Sequence, residues 1–150
     1  MECYLAVRGI KTLGLRMKAA QESSLKLAEF LSAHPKVSDV FYPGLKTHQN
    51  YELHKSQARG PGAMLSFNLK GGAKAALDFV KGLKIVVYAV SLGAVETLVT
   101  IPAKTTHACV DEATRKEVGV TEGLIRISVG VEDYDDLLDD IKHGLDAVSN

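Results

Sequence analysis

The chain has 150 residues, the size of one ordinary domain, so residues 1–150 are expected to form a single unit. Apolar residues make up 46% of it, enough for a core that depends on neither metal nor disulfide, and disorder is excluded. Eighteen basic residues balance eighteen acidic ones, so no net charge is available to attract nucleic acid or an anionic membrane.

The first predicted element is a long helix from about residue 4 to residue 33. Its apolar residues recur at spacings of three and four, and they include Ile10, Leu13, Met17, Leu27 and Leu31. Glycines at positions 9 and 14 weaken the helix, so a kink is expected there. A helix of about 30 residues extends roughly 45 Å, longer than a compact domain of this size. We therefore expect residues 1–34 to bridge to another part of the protein.

Strands and shorter helices alternate along residues 35–150. The sequence predicts strands at 37–42, 63–69, 85–90, 97–101 and 124–129, and helices at 51–57, 73–83, 111–118 and 134–148. Asp133 is the expected cap of the last helix. Short turns join these elements, which favours an α+β sandwich: a small, mostly antiparallel sheet covered by helices.

The number of cysteines and the first residues of the chain bear on its cellular location. Cys3 and Cys109 are too few for a disulfide framework, and no CxxC pair suggests zinc. The first residues do not resemble a secretory signal, and no apolar run approaches the ~20 residues that span a bilayer. We expect a soluble, cytoplasmic protein.

Several chemistries are disfavoured by the absence of their motifs. Neither GxGxxG nor GxxxxGK[ST] occurs, and GxSxG is also missing. His107 and Cys109 could supply two metal ligands, but a hydrogen-bonded structural histidine is the favoured interpretation. The acidic residues between Glu132 and Asp140 are interpreted as a solvated helix face that compensates the helix dipole. No metal site is predicted.

Arg126 is the most informative single residue, because it interrupts the apolar strand at 124–129. It could lie on the solvent face or pair with a carboxylate of the protein, or its guanidinium could bind a planar carboxylate bidentately. Residue types alone favour these interpretations equally.

The small-residue segment from Val90 to Thr97 could offer backbone N–H groups to a ligand, although a plain turn is favoured.

Six ordered motifs carry a resemblance that covers the whole chain. They are RGIKTL from Arg8, YPGL from Tyr42, GAMLSF from Gly62, SLGAVETL from Ser91, PAKTTHA from Pro102 and GLIRISVGVED from Gly123. Together they resemble the C-terminal part of the pyridoxal-phosphate (PLP)-dependent Cys/Met metabolism, or transsulfuration, family. This family includes cystathionine γ-lyases, cystathionine β-lyases, cystathionine γ-synthases and methionine γ-lyases.

The resemblance implies the small C-terminal domain of a fold-type-I PLP enzyme, which closes over the substrate. It assigns the substrate α-carboxylate to Arg126 and a supporting role to Ser91. Val90 falls on a specificity position, where an apolar side chain leaves no anion for the distal amino group of cystathionine. Valine at this position hints at a methionine-type pocket. The sequence does not decide between β- and γ-elimination or replacement. Departures from the family pattern are Thr105 in place of a usual methionine, Lys104 beside it, and Ala94 in place of a frequent glycine.

The resemblance also implies that the Schiff-base lysine and the large PLP-binding domain lie outside this chain. We expect the complete enzyme to be a homo-oligomer that performs elimination or replacement on a sulfur amino acid. By itself the chain is expected to be inactive, to contain no catalytic residue and to bind no PLP. The alternative is a non-catalytic binding or self-assembly module, which would associate through the surface that the large domain would otherwise cover.

Overall fold

The computed structural model describes residues 1–149, which form six α-helices, five β-strands and a 3₁₀ turn at Pro102–Lys104. The helices are α1 (Glu2–Ile10), α2 (Leu13–Ala33), α3 (Tyr51–Gln57), α4 (Gly72–Gly82), α5 (Glu112–Glu117) and α6 (Tyr134–Ala147). The strands are β1 (Val37–Phe41), β2 (Met64–Leu69), β3 (Val87–Tyr88), β4 (Leu98–Thr100) and β5 (Leu124–Ser128). Within this range, no helix has both the length and the apolar character needed to cross a membrane.

The five strands form one sheet in the order β1-β2-β5-β4-β3. The pairs β1–β2, β2–β5 and β5–β4 are antiparallel, and only the short β3 pairs parallel with β4. The prediction of a small, mostly antiparallel sheet within an α+β fold is therefore confirmed. Strand β5, which contains Arg126, lies in the middle of the sheet.

One face of the sheet forms the hydrophobic core together with α2, α4 and α6. Alternation in β2 places Leu65, Phe67 and Leu69 on this face, where each is at most 4% exposed. The Phe67 and Phe79 rings pack edge to face, with centroids 5.5 Å apart. Burying a side chain of this size contributes about 1.5–3 kcal/mol, so this face anchors the fold and leaves the opposite face for other uses.

Helices α4 and α6 approach each other closely because Gly144 has no side chain. A Cβ atom at Gly144 would lie 2.8 Å from Cε2 of Phe79 and 2.9 Å from Cδ2 of Leu83. Any larger residue would force the two helices apart. Asp133 caps α6 as predicted, since its carboxylate accepts a hydrogen bond from the backbone N–H of Asp135.

The long N-terminal helix is not confirmed as a single piece. The structure divides it into α1 and α2, and Thr12 between them has φ −107° and ψ 2°, outside the helical region. Only α2 reaches the core, where Leu27, Ala28 and Leu31 are fully buried. Helix α1 buries none of its residues. No packing partner within the described chain therefore keeps α1 in line with α2.

The strand predicted at 85–90 shrinks to the two residues of β3, and Asp140 accounts for the loss at its N-terminal end. Its buried carboxylate accepts hydrogen bonds from the backbone N–H groups of Lys84, Ile85 and Val86, at 2.7, 3.0 and 2.8 Å. These donors consequently cannot enter a sheet ladder. Assigning Asp140 to the solvated acidic face was therefore wrong, because this residue is 2% exposed.

Candidate functional site

A row of residues crosses the face of the sheet opposite the helical core. The strand register places Phe41 beside Ser66, Ser66 beside Arg126, and Arg126 beside Thr100. Directly paired residues share a face, so the four side chains belong to the same side. This side, called the open face below, has the half-buried Arg126 near its centre.

The guanidinium of Arg126 is only partly satisfied by the described residues. Its Nη2 donates a hydrogen bond to the backbone carbonyl of Ser91, at 3.2 Å. Its Nε is buried and has no hydrogen-bond partner among them. A buried donor that stays unpaired costs about 1–3 kcal/mol, and a carboxylate is the acceptor whose planar geometry suits the guanidinium. The orphaned Nε therefore favours the binding interpretation of Arg126.

Ser91 reaches Arg126 because it lies in residues 84–97, here called the 84–97 segment, which folds back over β5. The backbone N–H of Gly93 donates to Oγ of Ser128 at 2.9 Å, and Gly93 itself adopts φ +75°, a value that favours glycine. The structure thus places Ser91 against Arg126, while the carboxylate-binding roles that the family resemblance assigns to them stay predictions. The recorded contact uses the carbonyl of Ser91, and its side chain is exposed.

Val90 precedes Ser91 on the same segment and is 59% exposed. Leu92 and Val95 are exposed to a similar degree, at 60% and 53%. Such apolar side chains gain free energy when a ligand or another protein surface covers them. The segment therefore presents an apolar surface next to the cationic Arg126.

The hydroxyl pair Thr100 and Thr105 gives the unusual Thr105 a structural explanation. Thr105 Oγ1 donates to the carbonyl of Ile101 at 2.9 Å, and the two threonine oxygens lie 2.7 Å apart. Since the proton of Thr105 is used on Ile101, Thr100 must donate to Thr105. Thr100 is 1% exposed, so Thr105 satisfies a buried hydroxyl on the strand position beside Arg126.

The other candidates for metal or acid–base chemistry are dispersed. His107 Nδ1 is hydrogen bonded to Oγ1 of its neighbour Thr106 at 2.9 Å, and Cys109 is exposed. Among residues 1–149, no three His, Cys, Asp or Glu side chains are grouped so that they could hold a metal ion. Glu132 is not part of a purely solvated acidic face, because its carboxylate accepts hydrogen bonds from Thr97.

Comparison with known proteins identifies the family. The family model described as "Cys/Met metabolism PLP-dependent enzyme" matches residues 1–146. The chain belongs to this family. The family resemblance carried by the six motifs is therefore confirmed.

Relatives within the Cys/Met metabolism family are much longer than this chain. It is 47% identical over 148 residues to a cystathionine gamma-lyase of Bacillus subtilis (strain 168), covering 98% of the chain and 38% of the relative. It is 43% identical over 147 residues to an L-methionine gamma-lyase of Fusobacterium nucleatum subsp. nucleatum, covering 98% and 37%. A crystal structure of cystathionine gamma synthase from Xanthomonas oryzae pv. oryzae in complex with cystathionine superposes with a TM-score of 0.92 at 42% identity, covering 97% and 38%. The chain thus spans less than two fifths of these relatives.

The cofactor of the Cys/Met family is PLP, which forms an imine with a lysine amine. None of the five strands contains a lysine, so the open face offers Arg126 but no amine from its strands. Lys36 donates to the carbonyls of Leu145 and Val148, and Lys104 lies 4.0 Å from Glu122. The strands around Arg126 therefore offer a guanidinium that fits a carboxylate and no amine of their own.

The family motif from Tyr42 to Leu45 supports the core. Tyr42 is fully buried, and its hydroxyl donates to the carbonyl of Gly62 at 2.8 Å. Burial raises the pKa of Tyr42 to about 12, while a side-chain hydrogen bond with Ser24 acts in the opposite direction. Tyr42 is therefore a neutral structural phenol at physiological pH.

Sequence reasoning found Arg126 and Ser91 but missed the residues that hold them together. Ser128 and Thr97 make the contacts that fold the 84–97 segment onto β5. A signal for Ser128 was present, because it lies two residues after Arg126 and so shares its strand face. No pattern in the sequence pointed to Thr97.

Proposed function

We propose that this chain is the substrate-carboxylate-binding C-terminal domain of a PLP-dependent lyase or synthase acting on sulfur amino acids in the cytoplasm. The family match supports the chemistry, and coverage of about 38% of a relative supports the interpretation as one part of a longer enzyme. The observation that carries the proposal is the half-buried Arg126, whose Nε has no protein partner among the described residues.

Arg126 binds the α-carboxylate of the substrate with two parallel N–H donors, which fixes both position and orientation. The middle of the sheet is a rigid base for this interaction, because β5 is paired on both sides. Ser91 orients the guanidinium through its carbonyl and lies next to the bound carboxylate. The role of the chain is to hold the amino acid in place.

Val90 sets the preference for the rest of the substrate. Its exposed isopropyl group lies one residue from Ser91, so it contacts the substrate side chain and favours an apolar one such as that of methionine. It provides no negative charge for the distal ammonium of cystathionine. The complete enzyme performs β- or γ-elimination or replacement, and relatives named for cystathionine and for methionine are consistent with both substrates.

PLP supplies the electron sink for this chemistry when it is bound to the complete enzyme. The large domain provides its lysine, and this chain alone is inactive and binds no PLP. Helix α1 is the bridge to that domain. Its apolar residues Tyr4, Leu5, Val7 and Ile10 are 54–66% exposed, a surface that favours coverage by another protein layer.

The same exposed helix favours one alternative, a non-catalytic module that self-associates through α1. The two proposals are distinguished by sedimentation of the purified chain, alone and mixed with an upstream polypeptide that contains the large domain. A stable heterocomplex supports the enzyme. A homo-oligomer that ignores the upstream polypeptide supports the module.

The test of function is reconstitution. The chain, the upstream polypeptide and PLP are combined, and ammonia and thiol release is measured with L-methionine and with L-cystathionine. Turnover by the mixture and not by either part supports the proposal. Arg126→Lys is expected to raise KM at least tenfold, because a lysine cannot form the bidentate pair. Wild-type KM in this variant would contradict the role of Arg126.

A further inference from the structure

Glu132, just beyond β5, is bound twice to Thr97. Its Oε1 accepts from the backbone N–H of Thr97, and its Oε2 accepts from Thr97 Oγ1 at 2.7 Å. Thr97 Oγ1 accepts in turn from the backbone N–H of Gly130 at 2.8 Å. Thr97 is 1% exposed, so its end of these hydrogen bonds is buried, while Glu132 is half-buried.

The backbone around Gly130 shows how tightly these two parts of the chain are joined. The N–H of Val131 donates to the carbonyl of Val95 at 2.8 Å. A Cβ atom at Gly130 would lie 2.2 Å from that carbonyl oxygen and 2.6 Å from Oε2 of Glu132. Only glycine permits this approach, so the end of the 84–97 segment is fixed against the end of β5.

Every second residue from Arg126 to Gly130 contacts the 84–97 segment, and the three contacts follow one another along the segment. Arg126 contacts the Ser91 carbonyl, Ser128 accepts from Gly93, and Gly130 donates to Thr97. Arg126 contacts the segment through a flexible side chain and one hydrogen bond. Around Gly130, several hydrogen bonds join the segment to the end of β5. The path of the segment over Arg126 is therefore set from its Thr97 end.

We propose that Glu132 is a positioning residue for the carboxylate site. By fixing Thr97, it holds Gly93 on Ser128 and the Ser91 carbonyl on Arg126, so the guanidinium is oriented before a carboxylate arrives. The predicted effect of Glu132 on carboxylate binding rests on the proposed function. The structural part of the inference, control of Ser91 and Gly93 by Glu132, stands independently.

The test compares Glu132→Gln with Asp133→Asn. Each replaces a carboxylate by an amide of the same shape at adjacent positions, and Asp133→Asn retains a good helix cap. In Glu132→Gln the amide NH₂ faces a donor of Thr97, so one hydrogen bond is lost. Two quantities are measured by NMR: hydrogen exchange of the Gly93 amide, and the acetate concentration at the midpoint of the Arg126 Nε–H shift.

Glu132→Gln is expected to raise Gly93 exchange at least tenfold and the acetate midpoint at least threefold, with changes under twofold in Asp133→Asn. Gly144→Ala, a destabilising change in the helical layer, should lower Tm without moving either quantity. If Glu132→Gln does not fold, Thr97→Val against Thr97→Ser gives the same comparison. Unchanged Gly93 exchange in the folded Glu132→Gln or Thr97→Val variant would overturn the inference.

The two proposals fail in different ways. If acetate leaves Arg126 of the wild-type chain unshifted, carboxylate binding is contradicted, while Gly93 exchange still reports on Glu132. If acetate binds but its midpoint is the same in Glu132→Gln, the positioning role is contradicted and the proposed function is retained.

Discussion

The backbone carbonyl of Ser91 lies 3.2 Å from Nη2 of Arg126 and accepts a hydrogen bond from it. This contact ties the middle strand of the sheet to a segment whose apolar side chains are exposed. It leaves Nε of the same guanidinium buried and without a partner among the described residues. The arrangement orients the cation and leaves one of its donors unpaired, which supports the proposed recognition of a carboxylate.

Asp140 is expected to be essential for stability. Asp140→Asn replaces one acceptor oxygen by an NH₂ group that faces the buried N–H groups of residues 84–86, so about 2–4 kcal/mol should be lost. Urea unfolding measures the difference. The matched control is Asp139→Asn, because Asp139 is exposed and, within residues 1–149, its recorded ion pair is with Lys142; it should change stability by under about 0.5 kcal/mol. Equal effects of the two substitutions would contradict this account of β3.

Close packing of α4 and α6 predicts that Gly144→Ala is harmful. The added methyl group would overlap Phe79, at a cost of about 1–3 kcal/mol that exceeds the gain in helix propensity. Gly14→Ala in α2 is the control, since a Cβ there meets no atom within 4 Å. It should stabilise the chain slightly, by up to about 1 kcal/mol. Thermal unfolding of both variants checks the prediction, and a gain in Tm for Gly144→Ala would contradict it.

Tyr42 predicts a loss of stability in alkali. Burial raises the folded pKa of Tyr42 from its ordinary value of 10.0 to about 12, so the folded state retains the proton more strongly than the unfolded state. The stabilising contribution is complete below pH 10 and is lost as the pH rises toward 12, by about 1.4 kcal/mol per pKa unit. Tyr42→Phe should lack this component of the pH dependence. The free energy of unfolding of wild type and of Tyr42→Phe is measured between pH 9 and 12. The same dependence on pH in both proteins would contradict this prediction.

Removal of α1 should hardly affect the fold. Deletion of residues 1–10 removes no buried side chain, so Tm should fall by less than about 2 °C. By contrast, Leu31→Ala in the buried part of α2 should cost about 2–5 kcal/mol. Differential scanning calorimetry compares the two variants. A large loss of Tm on deletion would show that α1 belongs to this domain instead of bridging to another.

Alternation and motif order predicted the strand that contains Arg126 and the mostly antiparallel sheet. The isolated charge in an apolar strand singled out Arg126, although residue types alone left its role open. The parts that failed depend on contacts distant in sequence. Asp140 captures three N–H groups more than 50 residues away and shortens β3, which no local pattern reveals.

The N-terminal stretch was predicted in part: the helix breaks between Gly9 and Gly14, where a kink was expected, but the single long helix is not confirmed. Its helical periodicity is real, but periodicity does not reveal whether a partner is present to straighten the helix, and α1 has none within residues 1–149. Glu132 looked like one more acid before a helix, since its two hydrogen bonds to Thr97 cross 35 residues.

The most direct test of the account is an acetate titration of the chain, followed through the Arg126 Nε–H signal, with Arg126→Lys as the reference variant. A saturable shift of this signal, accompanied by protection of Nε–H from exchange, is the predicted result. Chloride at equal ionic strength should not reproduce it, because a spherical ion cannot accept two parallel hydrogen bonds. An acetate response identical to that of chloride would contradict carboxylate binding by Arg126.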